Sequence, residues 1–127
     1  MFITISNTSP RPLYEQIYTE IKELIVSGRL KPGDGLPSIR ELAKELTVSV
    51  ITTKKAYELL EQEGLITTRQ GLGSFVAQRD YATIKHKIKE EFRNKMINLL
   101  DEAERMGLTR DEIKLIINEI LSKEELR

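Results

Sequence analysis

Between Ser49 and Lys55 the chain reads Ser-Val-Ile-Thr-Thr-Lys-Lys, a run of hydroxyls, branched aliphatics and cations with no carboxylate. Hydroxyl and ammonium groups donate to phosphate oxygens and purine acceptors, and branched methyls pack on the methyl of thymine. This is the chemistry of gripping a duplex, with no bond made or broken. Ser38 and Arg40 upstream, and Arg69, Gln70 and Gly71 downstream, add donors around the same run. Catalytic constellations do not accompany them. The lone His86 stands between Lys85 and Lys87, there is no cysteine, and the paired acids Glu90-Glu91 and Asp101-Glu102 are adjacent, so each pair diverges on a helix. The stretch LKPGDGLPS has glycines but lacks the Lys-Ser/Thr ending of a phosphate-binding loop. A non-enzymatic chain with no metal and no cofactor is expected.

The elements that must position these residues are punctuated by their own caps. Pro12 suits the first turn of a helix, and Leu13, Ile17, Ile21, Leu24 and Ile25 recur at helical spacing until Gly28. RLKPGDGLP then reads as a loop. Ser38 with Glu41 forms a capping box for a short helix whose buried stripe is Ile39, Leu42, Ala43 and Leu46. Thr47-Val48 make a turn, and Ser49 caps the next helix, which Gly64 ends. At about 100° per residue, Thr53, Ala56, Tyr57, Leu59 and Leu60 gather on one side of that helix. Val50, Ile51, Lys54, Lys55 and Glu58 fall on the other. LITTR and SFVAQ, flanking Gln70-Gly71-Leu72-Gly73, read as a hairpin with a glycine-dependent turn. Phe2 to Ile5 reads as a short strand or an extended arm.

From Tyr81 onward a long helix is expected, with Tyr81, Ile84, Ile88, Phe92, Met96, Leu99, Leu100 and Ala103 on one face and Gly107 at its end. Thr109 and Glu112 form a second capping box, followed by Ile113, Ile116, Ile117, Ile120 and Leu121. The fold class predicted is mainly α with a small β-hairpin. A winged helix-turn-helix DNA-binding domain occupies residues 1–79, and a two-helix dimerisation segment occupies residues 80–127.

Composition agrees with this division. The 127 residues carry 20 Lys/Arg and 20 Asp/Glu, a net charge of zero. Positive charge is local: residues 46–57 hold Lys54 and Lys55, and residues 64–79 hold Arg69 and Arg79, neither stretch with an acid. Nonspecific affinity for DNA should therefore be weak and strongly salt-dependent. No apolar run approaches the ~20 residues of a membrane span, so no membrane partner is expected. The lack of cysteine fits a cytoplasmic location.

The order of capped helix, turn, capped helix and glycine hairpin within residues 10–79 resembles the GntR family of bacterial transcription regulators. The resemblance is carried by PLYEQIYTEIKELIVSGRLKPGDGLPSIRELAKEL, VSVITTKKAYELLEQEGLI and TRQGLGSFVA. The short helical tail resembles the YtrA subfamily. The resemblance implies a homodimeric, operator-binding repressor, commonly of a transporter operon. It places DNA contacts on Ser38, Arg40, Ser49, Val50, Ile51, Thr52, Lys54 and the wing at Gln70-Gly71. The sequence departs from the family pattern at two sites. Val50 and Ile51 stand where a polar residue such as Arg or Asn is frequent, and Leu72 stands where a basic residue is common, which points to methyl-rich, A·T-leaning recognition.

The apolar faces of the tail exceed what two helices can bury against each other. A second copy is the simplest cover, with Phe92, Met96, Leu100, Ile113, Ile117 and Ile120 as interface candidates. Two helices enclose little volume beside the ~300–1,000 Å³ of a typical ligand site, and no polar cluster nominates a small-molecule effector. The competing reading is a winged helix that binds a protein partner through Val50 and Ile51, without DNA.

Overall fold

The computed structural model describes residues 3–125. Its elements are α1 (Leu13–Val26), α2 (Ile39–Leu46), α3 (Val50–Gln62), β1 (Ile66–Arg69), β2 (Gly73–Val76), α4 (Ala82–Arg105) and α5 (Arg110–Glu125). They fall into two compact units, one ending at Tyr81 and the other starting at Ala82. The fold is mainly helical: a winged helix-turn-helix followed by two further helices. None of the described helices is long and apolar enough to cross a membrane.

In the first unit α1 buries Ile17, Ile21 and Ile25 along one stripe, the spacing that keeps side chains on a single helix face. They share a core with Leu42 and Ala43 of α2, with Ala56, Tyr57 and Leu60 of α3, and with Leu65, Ile66 and Val76 of the hairpin. Buried Thr53 satisfies its hydroxyl by donating to the Ser49 carbonyl at 3.2 Å. The Tyr57 hydroxyl donates to the Pro37 carbonyl at 2.6 Å, tying the middle of α3 to the residue before α2. Burial, followed by the carboxylates of Glu41 and Glu45, raises the Tyr57 pKa, so this hydroxyl stays a donor.

Helix ends follow local chemistry. After α3 the Gly64 N–H donates to Glu61 O and the Leu65 N–H to Leu60 O, a Schellman pair that needs the positive φ of 72° at Gly64. The same pair of bonds closes α2, from Thr47 to Lys44 O and from Val48 to Ala43 O. There the left-handed residue is Thr47, at φ 57°. A β-branched residue in that region is strained, and this one sits in the turn between α2 and α3.

The hairpin is antiparallel, with Ile66 opposite Val76 and Arg69 opposite Gly73. Its turn is closed by the Leu72 N–H donating to Arg69 O at 3.0 Å, with Gly71 at φ 78°. RLKPGDGLP is more ordered than its composition predicts. Lys31 to Asp34 form a turn with Pro32 and Gly33 at the positions a type II turn prefers, and Gly35 then bridges Phe75. Leu36 N–H donates to Ser74 O and Val76 N–H to Asp34 O, so this loop is a short third edge on the wing. Residues 3–6 form no strand. The segment is pinned at Ser6 by the buried Gln16, whose amide accepts from Ser6 N and donates to Ser6 O and Arg11 O. Phe2, the start of the expected strand, lies outside the described residues.

In the second unit α4 buries none of its side chains, and Ile113 is the only buried residue among those described. The capping box forms in full: Thr109 N–H donates to the Glu112 carboxylate at 3.0 Å and Glu112 N–H to the Thr109 hydroxyl at 3.2 Å.

Candidate nucleic-acid interface

The start of α3 is capped by Ser49 and leaves backbone donors open. Ser49 Oγ accepts from the Thr52 N–H at 3.0 Å and donates to Thr52 Oγ1 at 2.8 Å. The Val50 and Ile51 N–H groups keep no intrahelical partner, and the Thr52 hydroxyl hydrogen is left to donate outward. Helices α1, α2 and α5 each place an acid in the first turn, whereas α3, like α4, has none. The positive end of its dipole is therefore not neutralised by its own side chains.

Around this end stand the side chains that the sequence nominated for DNA contact. Ile51 is 79% exposed and Val50 46%, apolar groups at the beginning of a helix with nothing over them. Lys54 is exposed and lies 4.0 Å from Glu58, at the limit of an ion pair and free to turn elsewhere. Ser38 Oγ accepts from the Glu41 N–H at 3.1 Å, and Arg40 is exposed in the first turn of α2. Gln70 and Gly71 are exposed at the wing turn.

Two of the expected contact residues have partners within the chain. Lys55 Nζ lies 3.9 Å from the centre of the Tyr14 ring, a cation–π contact joining α3 to α1. Arg69 lies over the Phe75 ring at 5.3 Å, so its guanidinium is braced against the wing. Neither contact removes the charge, yet each limits where it can reach. Arg79, counted from the sequence as part of a basic stretch, donates to the Glu63 and Gly64 carbonyls at 3.2 and 3.3 Å. It caps the carboxyl end of α3, as a cation near unsatisfied carbonyls should.

The interface candidates of the tail separate into two groups. Phe92 and Ile120 are 64% and 55% exposed. Met96, Leu100 and Ile117 are half-buried, and Ile113 is already covered within the α4–α5 hairpin. Between α4 and α5 runs a groove of about 350 Å³, larger than two helices were expected to leave, lined by the apolar Ile97, Leu100, Ile113 and Ile117. Asp101, Glu104, Arg110 and Lys114 also line it, Arg110 paired to Glu104 at 3.4 Å.

Comparison with known proteins agrees with this geometry. Residues 13–76 match the model of the family described as bacterial regulatory proteins, gntR family. The chain is 36% identical over 118 residues to the HTH-type transcriptional repressor YtrA of Bacillus subtilis, covering 93% of this chain and 91% of that protein. A transcriptional regulator from Oenococcus oeni superposes with a TM-score of 0.71 at 31% identity, over 94% of this chain and 99% of the other. AraR(DBD), solved in complex with operator ORX1, superposes with a TM-score of 0.55 at 32% identity, over 61% of this chain and 99% of that one.

Proposed function

This chain belongs to the gntR family of bacterial regulatory proteins and is a DNA-binding transcriptional regulator, and we propose that it acts as a homodimeric repressor. In this reading the start of α3 enters the major groove of each half of an inverted-repeat operator. The observation that carries it is the pairing of exposed Ile51 with a helix end that has free N–H groups and no acid. An exposed branched aliphatic gains nothing there until a surface covers it, and the floor of a major groove offers thymine methyls. Ser49 and Thr52 fix the helix end, Thr52 and Lys54 meet phosphate or purine acceptors, and Ser38 and Arg40 hold the backbone alongside. Lys55, Arg69, Gln70 and Gly71 complete the surface.

The second copy is supported by the apolar side chains that α4 and α5 leave exposed, Phe92 and Ile120 among them. Full burial of such a side chain is worth about 1.5–3 kcal/mol and these are little more than half exposed, so a dimer would have to cover several of them to offset the cost of association. Repression is proposed from the likeness to the YtrA repressor. Selection of bound duplexes from a random pool at fixed salt tests the whole reading. It should return an inverted repeat with half-sites about 10–10.5 bp apart, or a multiple, and affinity should fall steeply as salt rises. Failure to enrich any sequence, or binding indifferent to salt, would overturn it and favour a protein partner for Val50 and Ile51.

A further inference from the structure

The wing tip carries a large apolar side chain with no structural duty. Leu72 is 71% exposed, although the hairpin around it is closed by backbone bonds and packed through Ile66 and Val76. Its neighbours Gly71 and Gly73 have φ of 78° and 111° and open space where a Cβ would stand, so Leu72 is flanked on both sides by residues without side chains. Arg69, whose carbonyl closes the turn and whose guanidinium lies over Phe75, supplies a cation in the same hairpin, and residues 64–79 contain no acid. A narrow tip with an apolar point and a cationic flank is complementary to one nucleic acid surface in particular. The minor groove of B-DNA is only about 6 Å wide, and its negative potential is deepest over A·T tracts.

We propose that Leu72 is a specificity-determining residue that reads the minor groove beside each half-site and selects A·T over G·C. The proposal rests on the operator-binding reading above. The mechanism is steric and desolvating. Over A·T the groove floor presents only the A N3 and T O2 acceptors, and a leucine can lie across it. Over G·C the guanine N2 amino group projects into the same space, and a leucine would cover that donor without accepting its hydrogen bond. Apolar side chains are used in this groove by proteins that bind it. Leu72 thus adds preference at base pairs that α3 does not reach, and Arg69, braced on Phe75, is held near the phosphates that flank them.

Inosine separates this from every major-groove explanation, because an I·C pair keeps the major-groove edge of G·C and lacks the N2 amino group. Operators recovered by selection would be rebuilt with A·T, I·C or G·C at the pairs flanking each half-site and titrated with the full chain. The expected result is that I·C binds within about twofold of A·T while G·C loses roughly tenfold, the size of one unfavourable base pair. Leu72→Ala should bring the three duplexes within about twofold of one another while still binding the half-site itself. Leu72→Gln, which can accept from N2, should narrow the gap for G·C. Three outcomes would overturn the proposal: equal affinity of the parent chain for all three flanks, I·C behaving as G·C, or discrimination surviving in Leu72→Ala. A chain that binds none of the duplexes would instead overturn the operator-binding reading, and this proposal with it. Circular dichroism of both variants checks that the wing substitution leaves the fold unchanged.

Discussion

Changing Ile51 to Ala separates stability from recognition in one residue. With 79% of Ile51 exposed, the substitution opens no cavity, and Ala is the better helix former by a few tenths of a kcal/mol. Thermal unfolding should therefore stay within a degree or two of the parent or rise slightly. Recognition should suffer. The carbons removed beyond Cβ are worth about 2.4 kcal/mol if wholly covered, at about 0.8 kcal/mol per methylene-sized group. A thymine methyl covers roughly half of such a side chain, which leaves about 1.2 kcal/mol for each half-site, or ~7-fold. A dimer engaging two half-sites doubles the energy, to about 2.4 kcal/mol or roughly 50-fold. Fluorescence anisotropy at fixed salt, with operators carrying T or U, reads this directly, because U lacks only the methyl. Parent protein should lose affinity on the U operator, and Ile51→Ala should lose little more when T is replaced by U. If Ile51→Ala weakens T and U operators by the same factor, Ile51 does not read methyls and the A·T-leaning account of α3 is wrong.

The remaining predictions use the same titrations and simple biophysics. Lys54→Ala should weaken binding to most sequences and flatten the salt slope by about one unit, whereas Lys55→Ala should cost chiefly stability, about 0.5–1 kcal/mol from the lost Tyr14 contact. An unchanged slope in Lys54→Ala removes that residue from the phosphate contacts. Thr47→Gly should raise the unfolding temperature, because it relieves a left-handed β-branched residue worth about 1 kcal/mol of strain; a fall would show that the turn is not strained. Glu112 titrates below an ordinary glutamate because the Thr109 N–H and hydroxyl bond its ionised form. With its folded pKa depressed, its contribution is complete above the ordinary glutamate pKa and is lost as pH falls through the lowered value. A carboxyl NMR titration should find its midpoint below those of other exposed glutamates, and Thr109→Ala, which removes the hydroxyl but keeps the backbone N–H, should bring it only part of the way back. Phe92→Glu should weaken self-association without altering helix content, since the side chain is 64% exposed; an unchanged sedimentation profile would remove Phe92 from the interface.

What could be read from the sequence was whatever depends on near neighbours. Ser38, Ser49 and Thr109 announce their helices because a cap bonds an N–H only a few residues along. The spacing of Ile17, Ile21 and Ile25 fixes which face of α1 is buried for the same reason. Contacts made at a distance left no such signature. Lys55 looked like any exposed lysine until Tyr14 appeared beneath it, and Arg79 like part of a basic patch until it met the end of α3. Gln16 gave no signal as the clamp of the N-terminal arm, since nothing local marks a glutamine as buried. The bridge from Gly35 to Phe75 was hidden by a Gly- and Pro-rich composition that normally means irregular chain. In the candidate interface the residue types at the start of α3 were legible, while the diversion of Lys55 and the bracing of Arg69 were not.

Operator recognition as proposed requires one chain to grip a duplex while a second does the same beside it. Sedimentation equilibrium of a labelled inverted-repeat operator, saturated with the chain in moderate salt, weighs that complex directly. The predicted mass is that of one duplex and two chains, and a duplex with one half-site scrambled should bind much more weakly. A saturated complex with a single chain, or no complex on any selected duplex, would contradict it.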